Sequence, residues 1–89
     1  MHTLFEASFE KDLKKLNDNA ILQDVRQRIL EIKRASDIRE IRQIKKLKGY
    51  ETFYRIRIGN YRLGIEVTRE EVIFTRFLHR KDIYRYFPK

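Results

Sequence analysis

Residues 54–67 read YRIRIGNYRLGIEV, and the period of this stretch decides the architecture. Tyr54, Ile56 and Ile58 alternate with Arg55 and Arg57; after Gly59-Asn60, Tyr61, Leu63, Ile65 and Val67 alternate with Arg62, Gly64 and Glu66. A period of two belongs to strands with one buried face. Gly followed by Asn signals a two-residue type II′ turn, because glycine takes the positive φ of the first central position. Such a turn fixes the register: Ile58 faces Tyr61, Arg57 faces Arg62, Ile56 faces Leu63 and Arg55 faces Gly64. Two arginines are thus opposed across the hairpin, at a cost on the order of several tenths of a kcal/mol.

Downstream, TREE (68–71) makes the next turn, and VIFTRFLH (72–79) is apolar on both faces, as a strand flanked on both sides should be. The closing RKDIYRYFPK is expected to form a short terminal helix. Upstream, residues 2–6 (HTLFE) suit a first strand. Ser8 is the expected N-cap of a helix carrying Phe9, Leu13 and Leu16, which Asn17, Asp18 and Asn19 interrupt. Ile21, Leu22, Val25, Ile29 and Ile32 then stripe a longer helix over residues 20–34, with RQR and KR outside the stripe. The segment SDIREIRQIKKLKGYE (36–51) reads as a connector with one helical turn and a bend at Gly49. The order predicts an α+β fold in a single domain spanning 1–89: an N-terminal strand, an α-helical hairpin on a mostly antiparallel sheet of about four strands, and a short C-terminal helix.

Twenty-one Lys and Arg against 13 Asp and Glu give the 89-residue chain a net charge of +8. That balance favours an anionic partner, nucleic acid above all. There is no cysteine, so sulfur-based metal sites and disulfides are excluded, and a reducing, cytoplasmic setting is expected. His2 and His79 stand far apart, so neither a metal site nor a cofactor is expected, and no run is long enough to span a membrane.

The opposed arginines carry the functional reading. Glu66 lies diagonal to Arg55 and offers to neutralise one guanidinium, not three. A cationic surface that grips phosphate accounts for all of them, since the planar arginine fork matches phosphate oxygens. Gly64, with no side chain, is expected to leave room for the ligand.

LKGYETFYRIRIGNYRLGIEV (47–67) followed by FLHRKDIYRYF (77–87) resembles the RelE/ParE toxin superfamily of type II toxin–antitoxin pairs, over nearly the whole chain. The likeness is strongest to the RelE-like branch, whose members cleave mRNA in the ribosomal A site. It implies catalytic roles for Arg55, Arg57, Arg62, Arg80 and Tyr84, with Glu66, His79 and Tyr84 as candidate proton handlers. Lys45, Lys46, Lys48, Arg76 and Lys81 are candidate RNA contacts. Where this chain has Arg55 and Arg57, the best-studied pattern has lysines, and arginine stabilises charge but does not act as a base. The implied reaction is metal-independent attack of a ribose 2′-oxygen on the adjacent phosphate. The implied partners are a cognate acidic antitoxin, mRNA and the ribosome, with operator DNA reached only through the antitoxin complex. Two rivals stand beside this reading: a ParE-like poison of DNA gyrase, and a nucleic-acid-binding module without catalysis.

Overall fold

A computed structural model describes residues 1–88. It contains β1 (His2–Phe5), α1 (Ala7–Lys14), α2 (Asn19–Arg34), a 3-10 turn (Ile38–Glu40), β2 (Ile44–Lys46), β3 (Phe53–Ile58), β4 (Tyr61–Val67), β5 (Glu71–His79) and α3 (Ile83–Tyr86). The strands form one sheet in the order β1-β5-β4-β3-β2. Only β1 and β5 run parallel; the other pairs are antiparallel. The sheet has five strands rather than about four, because Ile44–Lys46 of the expected connector pairs with β3. Three residues are too few to show a period, so this edge strand had no signature of its own.

The hairpin register is the one its turn dictates, from Ile58 opposite Tyr61 to Arg55 opposite Gly64. Gly59 has φ 58°, and Asn60 stays outside the left-handed region, as a type II′ turn requires. Ile56, Leu63, Ile65, Val72 and Phe74 are fully buried beneath the helices with Phe9, Val25 and Ile32. Burial of each such side chain is worth about 1.5–3 kcal/mol. Ile83 and Phe87 are also buried but lie outside this core cluster.

Three local expectations change. The α1 N-cap is Glu6, not Ser8: Glu6 N–H donates to the Phe74 carbonyl at 3.0 Å, so the chain turns directly out of the parallel pair into the helix. The Ser8 hydroxyl instead donates to the Thr75 carbonyl at 2.7 Å. Asp18, read as a breaker, caps α2 by accepting from the amides of Ala20 and Ile21. Arg28, placed outside the stripe by its sequence neighbours, is only 5% exposed. Its guanidinium donates to the Arg42 carbonyl at 3.0 Å and to Gln43 Oε1, and lies 3.6 Å from Glu31. Burial, then the nearby Arg42, pulls its pKa below the ordinary arginine value, against Glu31 and Asp24. Gln43 itself lies in the left-handed region at φ 60°, just before β2 begins.

Candidate functional site

The sheet face away from α1 and α2 carries Arg55 and Arg57 from β3 and Arg62 from β4, because these alternate with the buried Ile56, Ile58 and Leu63. Lys45 of β2 pairs with Arg55 and extends the cationic row to the sheet edge. Arg62 is the hub. Its guanidinium donates to the carbonyls of Gly59 and Tyr61 at 3.0 and 2.9 Å. Partial burial first, then the fields of Arg55, Arg57 and Arg80, lower its pKa, while Tyr84 acts the other way. Arg55 and Arg57 on β3, Arg80 just past β5 and Tyr84 of α3 thus lie near enough to Arg62 to act on its charge. Arg80 is fixed there through its amide, which donates to the Asn60 carbonyl at 2.8 Å.

Among the described residues, no ion pair involves Arg55, Arg57, Arg62 or Arg80. Glu66 does not neutralise Arg55; its carboxylate accepts from the Thr52 hydroxyl at 3.5 Å. Nε of Arg55 is shielded from solvent without a hydrogen-bond partner. An orphaned donor of this kind costs about 1–3 kcal/mol, which internal packing alone does not explain.

Gly64 is not vacant. The Phe87 ring occupies the space above it, and a Cβ at Gly64 would meet ring carbons at 2.8 Å. Phe87 packs edge-on against Phe53, and Phe53 edge-on against Tyr50. The missing side chain thus seats α3 on the sheet, and the open space lies beside it. There a cleft of about 410 Å³ is lined by Lys45, Lys46, Lys48, Tyr50, Arg55 and Tyr84. Tyr84 is 59% exposed and Tyr50 47%. Arg57 borders a shallower neighbouring hollow with Lys45 and Arg55.

Two expected residues stand apart from this cluster. His79 pairs with Tyr61 on the helix side of the sheet, edge-on to its ring, and its Nδ1 accepts from the Lys81 amide at 3.2 Å. The reason is a register shift between Gly64 and Ile65: Phe74 and Phe77, three apart, both pair with buried β4 residues, so Thr75 is the extra residue of a bulge. Without the bulge, regular alternation would put His79 among the arginines. Arg76, expected on RNA, is held by Asp12 of α1 at 2.8 and 3.0 Å and lies 5.4 Å over the Tyr86 ring. Asp12 also accepts from the Phe77 amide at 2.9 Å, which makes the pair a strut between α1 and β5. Tyr50, which sequence reasoning missed, follows Gly49, whose φ of 87° bends the loop. An exposed aromatic directly after a turn glycine was the available signal. No group of three or more His, Cys, Asp or Glu among the described residues is placed to hold a metal ion.

A cationic sheet face, flanked by exposed tyrosines and with no ion pair at Arg55, Arg57 or Arg62 among the described residues, marks out this small α+β protein. A family model described as the ParE toxin of type II toxin–antitoxin systems matches residues 4–84. The chain is 46% identical over 89 residues to Toxin RelE3 of Methanocaldococcus jannaschii, covering 99% of this chain and 100% of that one. It superposes with a TM-score of 0.82 on a chain of the RelB–RelE antitoxin–toxin complex from Methanococcus jannaschii, at 46% identity over 96% of this chain and 99% of that chain. A chain of the toxin–antitoxin complex RelBE2 of Mycobacterium tuberculosis matches with a TM-score of 0.64 at 28% identity, over 89% and 96% of the two chains. The protein belongs to the RelE/ParE superfamily and is a toxin of a toxin–antitoxin system. No helix among the described residues is long and apolar enough to cross a membrane.

Proposed function

We propose that this chain is a ribosome-dependent endoribonuclease that cleaves mRNA in the A site. The observation that carries the reading is the row of Arg55, Arg57 and Arg62 on one sheet face, with Arg57 directly opposite Arg62 and no ion pair at any of the three among the described residues. In the reaction a ribose 2′-oxygen attacks the adjacent phosphorus and loses its proton. The bond to the 5′-oxygen breaks, that oxygen takes up a proton, and the products are a 2′,3′-cyclic phosphate and a 5′-hydroxyl. Charge builds on the phosphate oxygens in the transition state, where preorganised guanidinium donors act most strongly. Arginine stays protonated and does not serve as base. Tyr84, exposed in the cleft that it lines with Arg55, is the proton handler we favour, with Glu66 farther along the face of Arg62. Lys45, Lys46 and Lys48 hold the flanking RNA backbone, and Lys81 adds charge near Arg80.

A cognate acidic antitoxin neutralises the +8 chain in the cytoplasm and covers the arginine face, and operator DNA is reached only through that complex. The M. jannaschii relative, crystallised as a RelB–RelE complex, supports this partner. Because the matching family model is named for ParE, poisoning of DNA gyrase is the second reading. Primer extension on translating ribosomes separates the two. Breaks at A-site codons with 5′-hydroxyl ends support the nuclease; intact mRNA with gyrase-linked DNA breaks supports the poison.

A further inference from the structure

The Tyr50 cleft has the features of a nucleotide site that the arginine cluster does not by itself explain. Its basic residues, Lys45, Lys46, Lys48 and Arg55, come from β2, β3 and the loop between them. Its two exposed tyrosines come from separate elements, Tyr50 from the β2–β3 loop and Tyr84 from α3. The loop is closed by the Leu47 amide donating to the Phe53 carbonyl at 2.9 Å, and the Tyr50 amide bonds the Leu47 carbonyl at 3.3 Å. The Tyr50 ring stands edge-on to Phe53 at 5.5 Å, which is in turn edge-on to Phe87 at 5.6 Å. A half-exposed aromatic is thereby held at a fixed angle beside cations, at little entropic cost to a ligand that stacks on it.

We propose that this cleft takes one unstacked nucleotide of single-stranded RNA, its base on the Tyr50 ring and its 3′-phosphate on Arg55 and the neighbouring lysines. Unstacked bases on aromatic side chains, with phosphates on basic ones, are the usual terms of single-strand recognition. The assignment rests on the ribonuclease reading and deepens it: Tyr50 is a specificity residue for the base, distinct from the groups at the reacting phosphate. Stacking strength then ranks the bases, purines above pyrimidines.

The test uses the free protein and nucleoside 3′-monophosphates, followed by NMR of the tyrosine rings and the Arg55 side chain. Adenosine 3′-monophosphate should shift Tyr50 and Arg55 resonances, and bind more tightly than uridine 3′-monophosphate or inorganic phosphate. Tyr50→Leu should weaken the adenosine nucleotide by about 5- to 100-fold and leave inorganic phosphate unchanged. Tyr50→Phe should retain the wild-type affinity, which separates loss of the ring from loss of the fold. Equal affinity in Tyr50→Leu, shifts confined to residues outside the cleft, or no binding at all would overturn the assignment. The ribosome assay is read separately. Cleavage with no role for Tyr50 in nucleotide binding sinks this inference alone, while Tyr50-dependent binding without cleavage sinks only the nuclease reading.

Discussion

Arg57 and Arg62 sit directly opposite each other across the β3–β4 hairpin, and neither forms an ion pair among the described residues. The two differ in what they do for the free protein. Arg62 is tied to the carbonyls of Gly59 and Tyr61, whereas Arg57 is exposed beside it.

Arg57→Gln therefore removes repulsion and little else. It should melt at or slightly above the wild-type temperature, with the rise largest at low salt. Arg62→Met gains the same relief but loses two hydrogen bonds of about 0.5–1.5 kcal/mol each, so it should be modestly less stable. Both should lower mRNA cleavage by roughly 10²-fold or more, and the double variant should lose less than the product of the two. Large drops in melting temperature with undiminished cleavage by the folded fraction would make both arginines structural.

His79→Gln tests the placement of the imidazole on the helix side of the sheet. An acid–base group of the reaction is worth about 10²–10⁴-fold, whereas a side chain that only accepts the Lys81 amide should cost cleavage less than about 10-fold. The rate of the variant should follow pH as the wild type does. A wild-type step near the histidine range that disappears in the variant would return His79 to the chemistry.

Gly64→Ala should act on α3 rather than on the sheet. Its methyl group would meet the Phe87 ring at 2.8 Å, and overpacking of this kind costs about 1–3 kcal/mol. Displacement of Phe87 moves Tyr84 with it, so cleavage should fall although every arginine is intact. Combining Gly64→Ala with Phe87→Leu makes room for the methyl group and should recover part of the lost stability in urea unfolding. No recovery would mean that Phe87 is not what the methyl group meets.

Arg76→Gln should be a stability variant. It leaves Asp12, which is 5% exposed, without its cation, and removing one partner of a buried pair costs about 3–5 kcal/mol, less where one partner is partly solvated as here. Activity per folded molecule should stay near wild type. A normal melting curve with weakened RNA binding would restore Arg76 to the interface.

The sequence by itself determined the hairpin, its register, the facing arginines and the amphipathic α2, because each is set by residues within a few positions of one another. A two-residue turn fixes which side chains oppose, and a period of two fixes which face they share. It also carried the family likeness, through short motifs in the right order. Only the tertiary structure decided what lies over Gly64, where His79 points and whether Arg76 and Arg28 are free. Phe87 comes to Gly64 from 23 positions away in the chain, Asp12 reaches Arg76 across 64, and Arg28 is held by the Arg42 carbonyl 14 residues on. A single inserted residue at Thr75 reverses the faces beyond it, moving His79 away from the arginines. Vacancy, charge pairing and face are properties of the packed neighbourhood, and one bulge or one distant ring is enough to change them.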